Sequence, residues 1–240
     1  MKIKYLLILG VISLTVFLIY LSTLDKKIYY LSLGDSLAVG LDDQNKTYGY
    51  SDYLADYLKD KNLLETYLNE YSDVDYRTTD IIKDIEDNKK VVINDKTKTI
   101  KNALVKADIV TLSIGTNDLI SKINYINNYD KMYDYADEMF KDLNKLLKLI
   151  RQYCKEDIFL IGLYNPYNRD DDKLIEIFNY INEKTKELCD KYDIIYIDTY
   201  NLFLSNSNYV PSINNIQPTG EGYKAIFKEL LDEINKKILK

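Results

Sequence analysis

Three short stretches hold residue types that could do chemistry together. Ser36 lies in "GDSLAVG", residues 34–40, directly after an apolar run. A serine at a strand-to-helix turn presents its hydroxyl where backbone N–H groups converge, which suits a nucleophile whose product is an oxyanion. The same placement also describes a capping turn, with Ser36 as N-cap and Asp35 as turn residue, and both readings stand open. Asn117 lies in "GTND", residues 115–118, after a second apolar run. Its amide can donate to a developing oxyanion, or it can serve an ordinary Asn–Asp turn. The third stretch is "SINNIQPTGEGYKAI", residues 212–226, which opens an amphipathic segment. The chain contains no histidine. The side chain that most often serves as a base near neutral pH is therefore missing from it.

These stretches need elements to position them. Near-continuous apolar runs at 28–33, 109–114, 158–163 and 194–197 predict strands covered on both faces. A further strand is expected around 65–71. Tyr50, Tyr53, Leu54, Tyr57 and Leu58 fall on one helical face. Helical patterns also cover 133–153, 172–189 and 222–239. Alternating strands and helices predict an α/β fold with a parallel sheet and right-handed crossovers. Residues 88–101 are polar and lysine-rich around Val91, Val92 and Ile93, and read as a surface excursion or small hairpin. In such a sheet, ligands bind beyond the carboxyl ends of the strands. "GDSLAVG", "GTND" and "YNPYN" each follow a strand, so they collect at one edge. The loops at 164–172 and 205–215 are expected to shape the cleft there.

The 240 residues suit one domain with an appendage. A formal charge of -6 and the scatter of the lysines along the chain argue against a nucleic-acid partner. Twenty-four tyrosines allow carbohydrate stacking, but they also fit a general bias toward Lys, Asn, Ile and Tyr. Cys154 and Cys189 fit either a disulfide or two buried thiols. Two cysteines without histidine make a poor zinc site. At the N-terminus, Lys2 and Lys4 precede an uncharged run over residues 5–24. A helix of about 20 residues spans roughly 30 Å, the hydrocarbon core of a bilayer. No A-x-A-like cleavage site follows it. The reading is a signal-anchor or transmembrane segment over 1–27 and a domain over 28–240, outside the cytoplasm; cleavage and secretion form the alternative. The three residues 25–27 reach only about 10 Å. The domain is thus expected to ride against the membrane, with its ligand at the membrane or wall surface.

Several blocks occur in a characteristic order: "YLSLGDSLAVG", "GYSDYLADYL", "RTTDII", "ADIVTLSIGTND", "IGLYNPY", "IDTYNLF" and "QPTGEGYKAI". In them the chain resembles the SGNH, or GDSL, hydrolases. It is most similar to the membrane-associated or secreted lipase/acylhydrolase branch of low-GC Gram-positive bacteria. The resemblance implies a three-layer α/β/α flavodoxin-like domain that hydrolyses carboxylic esters with a serine and needs no metal or cofactor. It places the nucleophile at Ser36 and an oxyanion-hole side chain at Asn117. The block-two glycine position falls near Asp75, and no glycine lies between Gly49 and Gly115. The family's Asp-x-x-His-Pro reads Asn214-Asn215-Ile216-Gln217-Pro218 here, with Gly222 and Tyr223 in place. Asn214 thus stands at the aspartate position and Gln217 at the histidine position. An amide accepts hydrogen bonds but takes up no proton near neutral pH, so Gln217 can hold a serine hydroxyl without activating it. A carboxylate at Asp75 would repel a forming oxyanion. The expected ligand is a small-molecule, lipid or glycan ester at the cell surface. Three functions fit: an ester hydrolase with weak or no activity, a non-catalytic binding protein, or an esterase with a substitute base.

Overall fold

The computed structural model describes residues 27–123, 130–166, 171–210 and 215–237. The apolar segment at residues 5–24 lies outside them. Among the described residues no helix is long and apolar enough to cross a membrane.

Seven strands occur among the described residues: β1 (Ile28–Gly34), β2 (Leu64–Leu68), β3 (Lys90–Ile93), β4 (Lys96–Thr99), β5 (Ile109–Ser113), β6 (Asp157–Ile161) and β7 (Ile195–Ile197). Five form one parallel sheet in the order β2-β1-β5-β6-β7. Counted within the sheet alone, that order is the flavodoxin-like 2-1-3-4-5. The expected strand at 65–71 ends three residues sooner. Tyr71 is buried, so it reads as strand, yet the Ser72 N–H turns back to the Asn69 carbonyl. The lysine-rich excursion is an antiparallel hairpin, β3–β4, closed by Asn94 and Asp95 at φ 49° and 61°. Two left-handed residues give the turn that matches strand twist.

Helices cover both faces of the sheet. They are α1 (Ser36–Val39), α2 (Tyr50–Asp60), α3 (Thr78–Glu86), α4 (Ile100–Lys106), α5 (Thr116–Ile123), α6 (Asp130–Tyr153), α7 (Asp172–Lys191), α8 (Thr199–Leu204) and α9 (Gly220–Lys237). On one face, Leu54 and Leu58 of α2 and Tyr223, Ile226 and Leu230 of α9 pack against Tyr30, Ile109 and Phe159. On the other, Ile81, Ile85, Leu104, Leu146 and Ile150 pack against Leu31, Leu33, Val110, Leu112 and Leu160. Successive strand residues thus serve opposite layers, which is why the strand sequences are apolar throughout rather than alternating. Cys154 and Cys189 are free thiols buried in the second of these clusters.

Two clamps fix the N-terminal edge of the sheet. The Tyr29 N–H donates to the Asp108 carboxylate at 2.9 Å, and the Asp108 N–H returns a bond to the Tyr29 carbonyl at 2.9 Å. The Arg151 guanidinium donates to the carbonyls of Cys154, Glu156, Tyr192 and Asp193, joining the starts of β6 and β7.

The carboxyl edge depends on Gly34. It has φ +144°, and a Cβ there would lie 1.9 Å from the Ser113 carbonyl oxygen. Neither the conformation nor the space tolerates a side chain. Gly34→Ala is expected to lower the unfolding free energy by about 3 kcal/mol or to prevent folding. Gly220→Ala, where a Cβ meets nothing within 4 Å, should stay within about 1 kcal/mol of wild type. Urea unfolding of both variants checks the contrast.

Candidate active site

The switch in strand order between β1 and β5 leaves a crevice at their carboxyl ends. Ser36 opens α1 directly after β1 and is 7% exposed. Asp35 is the N-cap: its Oδ1 accepts from the Leu37 N–H at 3.1 Å and from the Ser113 hydroxyl at 3.0 Å. The capping role considered for Ser36 therefore belongs to the residue before it, and the Ser36 hydroxyl is not used as a cap. No hydrogen bond to Ser36 Oγ forms among the described residues.

The loop carrying Asp75 lies beside this turn. Asp73 N–H donates to the Gly34 carbonyl at 3.1 Å, and the Ser72 hydroxyl to the Ser32 carbonyl at 3.2 Å. Asn117, from the start of α5, reaches the same loop. Its Nδ2 donates to the carbonyls of Val74 and Tyr76, both at 2.9 Å. Both amide hydrogens are spent there, so in this arrangement Asn117 holds the loop and has no donor left for an oxyanion. The Asp75 N–H is also engaged, donating to Asp73 Oδ1 at 3.1 Å. Both donors that the resemblance assigns to an oxyanion thus have internal acceptors. Next to Asn117, Asp118 accepts from the Thr78 N–H and hydroxyl at 3.0 and 3.1 Å, which anchors the start of α3.

Gln217 sits in a segment fastened to the loop after α1. Asn215 Nδ2 donates to the Asp43 carbonyl at 3.0 Å, and the Asp43 N–H donates to the Pro218 carbonyl at 3.1 Å. The Gln217 N–H donates to Asn215 Oδ1 at 3.1 Å. The Tyr164 hydroxyl donates to the Ile216 carbonyl at 2.6 Å, and its ring stacks on Phe203 at 4.5 Å. From α9, the Tyr223 hydroxyl donates to the Leu41 carbonyl at 2.8 Å. The structure thus gathers the segments of Ser36, Asn117, Asp75 and Gln217 at one edge. The Gln217 side chain makes no hydrogen bond to Ser36. Asn214 lies outside the described residues. A shallow apolar groove, lined by Leu119, Ile120, Leu163, Tyr164, Pro166 and Phe178, opens beside Thr116, with an unfilled volume of about 10 Å³.

Sequence reasoning treated Asp35 only as a turn residue. It is 1% exposed, and its Oδ2 has no hydrogen-bond partner. Burial pushes the carboxyl up from 3.8 to about 7, against the lowering effect of the bonds from Leu37 and Ser113. The available signal was its position, an acid directly after a fully buried strand. Because the folded pKa lies above the unfolded one, the associated stability is full below about pH 4 and is lost as pH rises to about 7. Asp35→Asn keeps the acceptor and removes the titration. Its stability relative to wild type should therefore improve by on the order of 3 to 4 kcal/mol between pH 4 and pH 7. Urea unfolding of both proteins across that range tests this. A difference that does not change with pH would refute the buried, titrating carboxyl.

Comparison with known proteins agrees with this architecture. The family model of the GDSL-like lipase/acylhydrolases matches residues 32–225. Among solved structures, the lipase Lip_vut3 from a goat rumen metagenome superposes with a TM-score of 0.71 at 22% identity, covering 85% of this chain and 95% of its own. Axe2, an acetylxylan esterase from Geobacillus stearothermophilus, gives a TM-score of 0.66 at 17% identity, covering 87% and 94%. No curated protein matches significantly. At these identities the solved structures establish the α/β SGNH hydrolase fold, and the family model extends over most of the chain. This chain belongs to the GDSL-like lipase/acylhydrolase family.

Proposed function

We propose that the chain is a membrane-held SGNH protein that keeps an ester-binding cleft and has very weak or no hydrolytic activity. One observation carries this reading: Gln217 stands where the family places its base, in a chain without histidine. Variants of Axe2 described as catalytic fall on a serine, an aspartate and a histidine, the last two three positions apart. Asn214 and Gln217 have that spacing. Without a base, the Ser36 proton has no acceptor during attack and the leaving alcohol has no donor. Serine hydrolases that lose a triad member retain about 10³- to 10⁴-fold catalysis over water, largely from the oxyanion hole. The internal bonds of Asn117 and Asp75 reduce even that remainder.

What is kept is suited to holding an ester. Leu119, Leu163 and Phe178 line an apolar groove beside Thr116, against which an acyl chain can rest. The apolar run at 5–24 supports attachment to the cell membrane, with the domain outside the cytoplasm.

A second reading has one specific observation behind it. Asp35 is adjacent to Ser36, has an unpartnered Oδ2 and titrates near neutral pH. If this neighbouring carboxylate takes the place of the missing base, the protein is a working esterase.

Hydrolysis of p-nitrophenyl acetate by residues 26–240 separates these readings. Wild type should show turnover no faster than Ser36→Ala. The double reversion Asn214→Asp with Gln217→His should raise it by at least about 10²-fold. Ordinary enzyme rates in wild type, abolished by both Ser36→Ala and Asp35→Asn, would replace the first reading with the second.

A further inference from the structure

The sheet has two edges with different chemistry. Every strand of the parallel sheet starts at one edge and ends at the other, so Ile28 and Ser36 lie on opposite sides. Seven residues of β1 separate the two edges by about 20 Å. The described chain begins at Lys27, at the starting edge. α3 runs back toward that edge, and the hairpin β3–β4 follows it before α4 leads into the start of β5. Contacts agree with this placement. Lys98 Nζ lies 5.7 Å from the centre of the Tyr29 ring, at the start of β1. The reciprocal bonds between Tyr29 and Asp108 hold the α4–β5 junction to the same point.

The hairpin is also unlike the rest of the surface. Residues 88–101 carry five lysines against one aspartate, in a chain whose net charge is -6. Lys89 is committed to Asp84 at 2.9 Å and to the Tyr76 hydroxyl, and Lys101 bonds the Glu86 carbonyl. Lys90 is exposed on the face of Val92, whereas Lys96 pairs with Ile93 and is exposed beside the turn. Val91 and Ile93 turn inward onto the core, while Val92, on the opposite face, is 71% exposed. Val105 of the following α4 is 62% exposed. Exposed apolar side chains among lysines match an anionic bilayer surface, where ammonium groups meet headgroups and the apolar tip enters the interface.

We propose that the β3–β4 hairpin is a second membrane contact, in which Lys90 engages anionic lipid headgroups and Val92, on the same face, enters the interface. With the N-terminal segment in the same bilayer, two points fix the orientation. The domain stands on its N-terminal edge, and the Ser36 edge points away from the lipid. The cleft then receives acylated material projecting from beyond the membrane, such as an esterified glycan, rather than a bilayer lipid. The inference rests on the anchoring reading above.

The chain has no tryptophan, so one indole can report depth. Full-length protein carrying Val92→Trp is reconstituted into vesicles of equal phosphatidylglycerol and phosphatidylcholine, with brominated chains as quencher. A parallel protein carries Tyr48→Trp, at a 43% exposed position in the loop after α1. The expected result is a blue-shifted, quenched indole at position 92 and an unquenched one at position 48. Adding Lys90→Gln should lower the docked-to-undocked ratio by about 5-fold, and pure phosphatidylcholine should lower it at least as much. Flotation with the vesicles while position 92 stays unquenched overturns the hairpin contact and leaves the anchor standing. Quenching at position 48 instead reverses the orientation and overturns the proposal. Failure to float at all overturns the anchor and the proposal together.

Discussion

The carboxyl edge of this fold depends on the approach of β1 to β5 at Gly34 and Ser113. Backbone meets backbone there with no room for a methyl group. The Asp35 N–H then donates to the Ser113 carbonyl at 3.0 Å, and the Ser113 hydroxyl returns a bond to the Asp35 carboxylate. The turn bearing Ser36 is thereby stapled to the strand that leads into Asn117. Moving either would break a bond in a layer that excludes water, where lost partners are costly. The remaining loops add to this junction rather than create it. The loop at 72–76 leans on Gly34, and the segment at 215–218 leans on the turn after α1.

Frame and chemistry are consequently carried by different atoms. Pro218 offers a carbonyl to Asp43, Tyr223 reaches Leu41, and Asn215 orients the backbone of Gln217. None of these bonds uses the side chain of Gln217. A substitution of that side chain therefore leaves these bonds in place. Asn117 shows the converse. Its amide is absorbed into structure by bridging two carbonyls of a loop more than 40 residues earlier. A side chain that elsewhere could meet charge in a transition state acts here as a brace.

The fold was legible where the signal was local and continuous. The strands at 28, 109 and 158 are buried on both sides, so their sequences announce them. Short helices were not. α3 spans nine residues with few apolar positions, and its start is set by the Asp80 carboxylate on the Arg77 N–H, a detail easily lost among polar neighbours. α4 merges in sequence with the tail of the hairpin. At the site, Ser36, Asn117 and Gln217 could be named from their places after strands and before a helix. The bonding state of Asn117 could not, because its acceptors come from a distant loop. The protonation of Asp35 could not either, because it is set mainly by burial in the folded chain.

The two buried thiols carry a consequence for the reactivity of the folded protein. Burial pushes Cys189 up to about 12 and raises Cys154 as well. Both therefore stay protonated near neutral pH, and the thiolate is the form that exchanges with disulfides or meets oxidants. Both sulfurs become sealed as soon as the core closes. Shut inside the core, neither sulfur is placed to exchange with disulfides in the surroundings.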